Sequence, residues 1–191
     1  VDTGAMYRAM ALYILQHGID EKNEQAVAAA CDDIDVALRY EAGEQRVLLC
    51  GEDVSKEIRR EEVGNMASVT SVYGCVRKKL VSLQQQLAAK EDVIMDGRDI
   101  GTCVLPQAPL KIYLTASVET RAKRRYKELC EKNVTCDLAE IMKDIEDRDY
   151  RDMHREISPL KQAEDAVLVD SSDMTIDEVV TTIITLVKER M

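Results

Sequence analysis

The chain has 191 residues and is acidic: 26 Lys and Arg stand against 36 Asp and Glu, which gives a net charge of −10 at pH 7. This charge repels nucleic acid and anionic membranes, so we expect neither as a partner. The length suits one α/β domain with a small inserted lobe, and its core must be aliphatic because the chain contains no Phe or Trp.

The first part of the chain predicts helices around an antiparallel hairpin. Residues 34–40 alternate in polarity and residues 45–50 return after a turn, which is typical of a hairpin. Residues 51–55 add a short third strand. Apolar residues at helical spacing predict helices over residues 5–16, 24–30, 61–70 and 72–90.

Three short apolar runs in the second part predict parallel strands: Val93–Met95, Leu110–Leu114 and Ala166–Val169. Helices are predicted between and after them, over residues 118–132, 137–155 and 176–189. The last helix begins on a Thr175-x-x-Glu178 capping box. We expect it to bury its apolar positions, which are Ile176, Val179, Val180, Ile183, Ile184 and Val187.

This alternation predicts an α/β fold, a parallel sheet flanked by helices, with a small inserted antiparallel lobe. Residues 1–30 and 71–191 are the predicted core domain, and residues 31–70 are the predicted lobe. Residues 121–136 are a predicted lid region within the core, because residues 132–136 are polar and follow a helix rich in arginine.

The stretch Asp96 to Thr102 ends the Val93–Met95 run on an Asp-Gly pair and presents Arg98 and Asp99 at once. Open α/β sheets bind ligands at the carboxyl ends of their strands, so this is a candidate phosphate-handling site. Asp96 has two interpretations: it holds Mg²⁺ through water, or it is a simple turn residue.

Seven of the 14 arginines lie between Arg98 and Arg155, although the chain as a whole is acidic. Arg148, Asp152 and Arg155 fall on one helical face, in line with the apolar Ile141 and Ile145. They form either an ion-pair network or a phosphate-binding surface.

The predicted helix over residues 118–132 carries three further arginines, Arg121, Arg124 and Arg125, which are the lid candidates. Arg124 and Glu128 are four residues apart, so we expect them to form a solvated pair.

The six cysteines contain no C-x-x-C pair and only two histidines accompany them, so neither a zinc site nor a disulfide framework is indicated. Without a signal-peptide pattern or an apolar run of membrane-spanning length, we expect a cytoplasmic protein.

Four motifs, in order along the chain, closely resemble bacterial cytidylate kinases. They are V-D-T-G-A-M-Y-R, G-E-D-V-S-K-E-I-R, D-G-R-D-I-G-T and R-D-Y-R-D-M-H-R-E-I-S-P-L. The resemblance implies a P-loop nucleoside monophosphate kinase that transfers the γ-phosphoryl group of ATP, with Mg²⁺, to CMP or dCMP in pyrimidine metabolism. It implies small nucleotides as partners, and we expect a monomer.

The resemblance also implies roles for individual residues. Arg8, Arg98 and Arg155 would bind the CMP phosphate, and Ser68, Arg77 and Asp99 would recognise cytosine. Arg148 and Asp152 would hold the ribose. Arg98, Arg148 and Arg155 are the expected catalytic arginines. Asn133 stands where the family often has glycine, and Asn is the residue that best replaces glycine in a left-handed turn.

No glycine of the chain is followed by Lys, so the Walker A pattern G-x-x-x-x-G-K-[ST] is absent. In relatives this loop precedes D-T-G-A-x-Y-R, after a first strand between those represented here by Val93–Met95 and Leu110–Leu114. We therefore expect the loop upstream of Val1, and we expect residues 1–191 alone to be inactive and less stable. The alternatives are a kinase for UMP or AMP and a catalytically silent CMP-binding module.

Overall fold

The computed structural model describes residues 1–190, which form two compact units, Val1–Ile100 and the residues from Gly101 onward. The helices are α1 (Thr3–Gln16), α2 (Glu24–Asp33), α3 (Glu61–Thr70), α4 (Gly74–Ala88), α5 (Val118–Glu131), α6 (Leu138–His154) and α7 (Ile176–Arg190). The strands are β1 (Val36–Glu41), β2 (Glu44–Leu49), β3 (Glu52–Asp53), β4 (Ile112–Thr115) and β5 (Val167–Asp170).

Helix α1 is the centre of the first unit because it is apolar on nearly every side. Asp2 caps it by accepting a hydrogen bond from the Ala5 N–H, and eight of its residues are buried. Helices α3 and α4 and strand β2 pack around it, so the core of this unit surrounds one helix.

The predicted hairpin is confirmed. Strands β1, β2 and β3 form an antiparallel sheet, with Val36 opposite Leu49 and Glu41 opposite Glu44. Ala42 and Gly43 make the turn with positive φ angles of 52° and 82°. Two such residues give the reversed turn whose twist matches a two-residue hairpin.

The prediction of a strand at Val93–Met95 is wrong. This segment is extended, but only Asp96 forms a bridge, which is parallel and pairs with Asp2. Thr3 donates its backbone N–H to the Asp96 carbonyl, while Ile94 is 86% exposed. The backbone beside the run is that of Val1, Asp2 and Thr3, and it turns into α1 at Thr3, so it offers too few extended residues for a ladder.

In the second unit, β4 and β5 pair in parallel, with Ile112 beside Val167 and Thr115 beside Asp170. Strands β4 and β5 confirm the strands predicted at Leu110–Leu114 and Ala166–Val169, and their limits differ from the predicted ones by at most two residues. Helices α5 and α6 pack against each other. In chain order they lie between β4 and β5. A mixed α/β fold with one parallel and one antiparallel sheet is therefore confirmed.

Helix α7 corrects a prediction, because none of its residues is buried. Its capping box forms as expected, since the Thr175 N–H and hydroxyl donate to Glu178 and the Glu178 N–H donates to the Thr175 hydroxyl. The apolar stripe stays outside because, within residues 1–190, no helix or strand packs extensively against α7. The exposed members are Ile176, Val180, Ile184 and Val187.

Among the helices formed by residues 1–190, none has both the length and the apolar character needed to cross a lipid bilayer. The predicted lobe at residues 31–70 lies within the first unit, and the predicted lid region at residues 121–136 lies within the second. Their roles as lobe and lid stay predictions.

Candidate functional site

The start of α1 and the segment around Asp96 meet at a tight backbone crossing. The Thr3 hydroxyl donates to the Asp96 carbonyl at 2.6 Å, and Thr3 is buried. A Cβ atom on Gly97 would lie 2.4 Å from the Thr3 hydroxyl oxygen, closer than atoms can approach. Glycine is therefore required here by space, and it brings the D-G-R-D stretch against the helix terminus.

The carboxyl group of Asp96 faces an unfavourable environment. Partial burial, followed by the negative charge of Asp2, raises the pKa of Asp96, and the charges of the chain N-terminus and Arg59 oppose this shift only in part. Asp2 is already committed, since it caps α1 and lies 3.4 Å from Arg59. Asp96 is thus the carboxylate at this edge that is best placed to respond to an added positive charge.

Arg77 and Asp99 form a buried ion pair. Their side chains are only 4% and 6% exposed, and the Arg77 guanidinium donates to the Asp99 carboxylate and to the Ser71 carbonyl. The guanidinium carbon also lies 5.7 Å from the centre of the Tyr7 ring, within cation–π distance. The Arg77 Nε–H is buried and has no hydrogen-bond partner within residues 1–190.

Arg8 and Ser68 lie on the facing surfaces of α1 and α3. Arg8 donates to the Ile58 carbonyl at 3.2 Å, and its guanidinium fills the space above Gly64, where a Cβ atom would come within 2.8 Å. Ser68 is one helical turn after Gly64 and therefore lies on the same face of α3. Arg98 is exposed, next to the buried Asp99.

In the second unit, Asp152 lies between two arginines near the end of α6. The Arg148 Nε and the Arg155 Nη1 are 4.0 Å and 3.7 Å from the two Asp152 carboxylate oxygens. The Arg155 side chain is 5% exposed and donates to the Ser158 carbonyl at 2.6 Å. The structure thus brings together the three residues that the helical periodicity aligned.

The three arginines of α5 have separate partners. Arg121 makes a two-pronged contact with Asp149 of α6, at 3.1 Å and 2.5 Å. The expected Arg124–Glu128 pair is wrong: Arg124 reaches across to the Ser171 and Met174 carbonyls, and Glu128 pairs instead with Arg125 and Lys132. Carbonyl oxygens in the turn after β5 compete better for Arg124 than a solvated carboxylate does.

Sequence reasoning missed two residues of these clusters, Tyr7 and Asp149. Tyr7 directly precedes Arg8 in the first motif, so the motif itself was a signal, but the contact with Arg77 spans 70 positions. Asp149 follows Arg148 and was hidden in a run of alternating charges. Neither contact has a local periodicity that would reveal it.

Comparison with known proteins identifies the family of the chain. The sequence model of the cytidylate kinase family matches residues 1–189. The chain belongs to the cytidylate kinase family. The chain is 48% identical over 190 residues to the cytidylate kinase of Lactobacillus johnsonii, covering 100% of this chain and 83% of the relative. Similar relatives are the cytidylate kinases of Caldicellulosiruptor saccharolyticus, 48% identical over 97% of this chain and 82% of the relative, and of Oceanobacillus iheyensis, 49% identical over 94% and 78%.

Membership of the cytidylate kinase family gives a chemical context to the Arg77–Asp99 pair and to the group of Arg148, Asp152 and Arg155. The family is one of ATP-dependent nucleotide kinases, so the chain is a member of a transferase family with nucleotide substrates. Among residues 1–190, no three His, Cys, Asp or Glu side chains form a cluster that would hold a metal by themselves.

Proposed function

We propose that this protein takes CMP or dCMP as the phosphoryl acceptor of ATP and converts it to CDP or dCDP. The observation that carries the proposal is the buried Arg77–Asp99 pair, because it presents a donor and an acceptor in a fixed geometry. Cytosine offers an amino donor beside ring acceptors, whereas uracil reverses this donor pattern. A locked Asp–Arg pair, with Ser68 as a further donor in this proposal, therefore favours cytosine, and it argues against UMP or AMP as the substrate.

The arginines supply the charge that phosphoryl transfer requires. In this proposal Arg8, Arg98 and Arg155 bind the acceptor phosphate, and Arg148 and Asp152 bind the ribose. No general base is needed, since the attacking phosphate is already anionic. The chain's contribution is then positioning and neutralisation of the charge that develops on the transferred group. Arg121, Arg124 and Arg125 are the proposed lid residues.

Mg²⁺ fits this proposal through Asp96. Magnesium in phosphoryl-transfer enzymes keeps several waters and uses one or two protein carboxylates together with substrate phosphates. Asp96 provides such a carboxylate, and partial burial together with the charge of Asp2 raises its pKa, an effect that a nearby cation would oppose. Bound there through water, Mg²⁺ would neutralise phosphate charge.

A second candidate function is a CMP-binding module without turnover by these 191 residues. The observation in its favour is the absence of the pattern G-x-x-x-x-G-K-[ST], whose backbone N–H groups and Lys bind the phosphates of ATP in P-loop enzymes. We propose that the 191 residues bind CMP as a monomer, that nucleic acid is not a partner, and that ATP turnover by them is negligible.

Calorimetry and a coupled ADP-release assay on the 191-residue chain test both functions. We expect CMP and dCMP to bind more tightly than UMP and AMP; CMP-dependent ADP release would support the first function, and CMP binding without ADP release would support the second. Asp99→Asn should reduce the preference for CMP over UMP. Asp32→Asn, the same substitution at an exposed position of α2, is the matched control and should change nothing.

The phosphate arginines have a distinct signature in the same assay. Arg98→Ala and Arg155→Ala should weaken CMP binding by on the order of 30-fold or more, because each leaves phosphate charge unpaired. For Arg98→Ala, the affinity for cytidine, which has no phosphate, should stay unchanged. Equal binding of all four nucleotides would overturn the proposed acceptor, and ADP release at a rate typical of kinases would overturn the second candidate.

A further inference from the structure

Two cysteines meet at the turn between α5 and α6 and have no part in the proposed function. Cys130 is the penultimate residue of α5, and Cys136 directly precedes Asp137, the residue that caps α6. Cys136 interacts with Cys130, and Tyr126 interacts with Cys130 as well, so the three side chains lie close together. We call Cys130 and Cys136 the dithiol.

The backbone fixes the approach of the two sulfur atoms. Helix α5 ends at Glu131, and Asn133, two residues later, is in the left-handed conformation with φ of 57°. The Asn133 N–H donates to the Cys130 carbonyl, and the Val134 N–H donates to the Leu129 carbonyl, both at 3.0 Å. This is the hydrogen-bond pattern of a Schellman turn, which reverses the chain at a helix end.

The far side of the turn is also held. The Asp137 carboxylate accepts hydrogen bonds from the Ala139 and Glu140 N–H groups at 2.8 Å and 3.0 Å, so the start of α6 is fixed. Both ends of the short connection that carries Cys136 are therefore held by hydrogen bonds to the backbone.

The two thiols have different surroundings, and this difference sets which of them reacts first. Cys130 is exposed, whereas partial burial, followed by the charge and hydrogen bond of Cys130, raises the pKa of Cys136. A thiolate, not a thiol, is the attacking species, so Cys130 reacts first and Cys136 second.

The other neighbouring pair, Cys31 and Cys75, contrasts with this one. Cys31 is buried in the core of the first unit, and burial, together with Cys75, raises the pKa of Cys31 to about 12. A buried thiol of this kind is inert.

We propose that Cys130 and Cys136 form a redox modification site that closes to an intramolecular disulfide with small disulfides such as oxidised glutathione. The Cys130 thiolate attacks one sulfur of the small disulfide, forms a mixed disulfide and expels one glutathione thiolate. The Cys136 thiolate then attacks the Cys130 sulfur and expels the second. The protein dithiol loses two protons and two electrons, and one oxidised glutathione becomes two reduced molecules.

The site does not depend on CMP binding, so its test is independent of the proposed function. The folded 191-residue protein is treated with oxidised glutathione, the remaining thiols are alkylated, and the protein is digested with trypsin. Cleavage after Lys127, Lys132 and Lys143 places the two cysteines in separate peptides, Glu128–Lys132 and Asn133–Lys143. We expect these two peptides to be joined by a disulfide and to form the dominant cross-linked species.

Single variants separate the two steps. Cys136→Ser should stop the reaction at a stable glutathione adduct on Cys130, whereas Cys130→Ser should give neither the adduct on this turn nor the disulfide. Cys50→Ser, which removes another exposed thiol, is the control and should leave the cross-link unchanged. A glutathione adduct that persists on Cys130 in the parent protein would overturn the proposal, as would cross-links to Cys103 or Cys50 in equal yield.

Discussion

Arg77 and Asp99 come from segments 22 residues apart, and their ion pair is almost fully withdrawn from water. A buried pair of this kind gains little over an apolar pair of similar shape, because desolvating two charges offsets most of their attraction. In the proposed function, this pair serves recognition of the cytosine ring rather than stability.

Arg77→Ala should destabilise the protein by about 3–5 kcal/mol, because it leaves the Asp99 carboxylate buried without its partner. The double substitution Arg77→Met with Asp99→Leu removes both charges and should be much less destabilising. Urea unfolding followed by circular dichroism measures both. A double variant that is as unstable as the single one would contradict this explanation.

Asp96 gives a pH dependence of defined sign. Because its folded pKa is raised above the ordinary value of 3.8, the folded protein holds this proton more tightly than the unfolded chain. The group therefore contributes stability at low pH, and that contribution is lost as the pH rises through the raised folded pKa.

Asp96→Asn should thus unfold at higher urea concentration than the parent at pH 7, and the difference should disappear below the unfolded pKa. Subtracting the parent's curve cancels the other carboxylates, including those whose pKa values are lowered. Asp92→Asn, four residues earlier and exposed, is the control. A difference that is constant with pH would show that Asp96 has no raised pKa.

At the scale of elements, local signals predicted local structure well. Helix α3 has the predicted limits, the Thr175–Glu178 box caps α7, and Asn133 adopts the left-handed conformation expected of it. The failures, Val93–Met95 and the buried face of α7, depend on what packs against a segment. Periodicity reports which face of an element is apolar, but it does not report whether another element covers that face.

The crossing of α1 with the D-G-R-D segment is an element contact that a single methyl group should disrupt. Gly97→Ala would place a Cβ atom against the buried Thr3 hydroxyl and against Ile100, so we expect a loss of about 1–3 kcal/mol in the free energy of unfolding. Gly4→Ala, whose Cβ meets only the Asp2 side chain at 3.2 Å, is the control. Chemical unfolding measures the free energy of unfolding of both variants. An equal loss in the two would mean that the crossing is not tight.

At the scale of the whole molecule, the candidate site followed from sequence only in part. The helical spacing of Arg148, Asp152 and Arg155 predicted a shared face from sequence, and the structure confirms that they meet. The resemblance placed Arg77 and Asp99 in one recognition set, but no periodicity links residues so far apart. The Arg121–Asp149 contact, which joins two helices, had no signal in either of them.

The two units differ in how much apolar surface they bury. The first contains a continuous core cluster of 20 residues around α1, while the buried apolar residues described from Gly101 onward are Val104, Ala116, Ala122 and Val169. Burial of apolar surface is the main source of stability, so the second unit should open more readily than the first.

Hydrogen exchange followed by mass spectrometry should therefore show slow exchange in α1 and much faster exchange in α6 and α7. Leu80→Ala, at a fully buried position, should cost about 2–5 kcal/mol and speed exchange in α1. Val180→Ala, at a position 48% exposed, should change the free energy of unfolding by less than about 0.5 kcal/mol. Equal protection of α1 and α7 would mean that the units unfold as one, because only a shared transition makes a poorly packed helix exchange as slowly as the helix at the centre of a core.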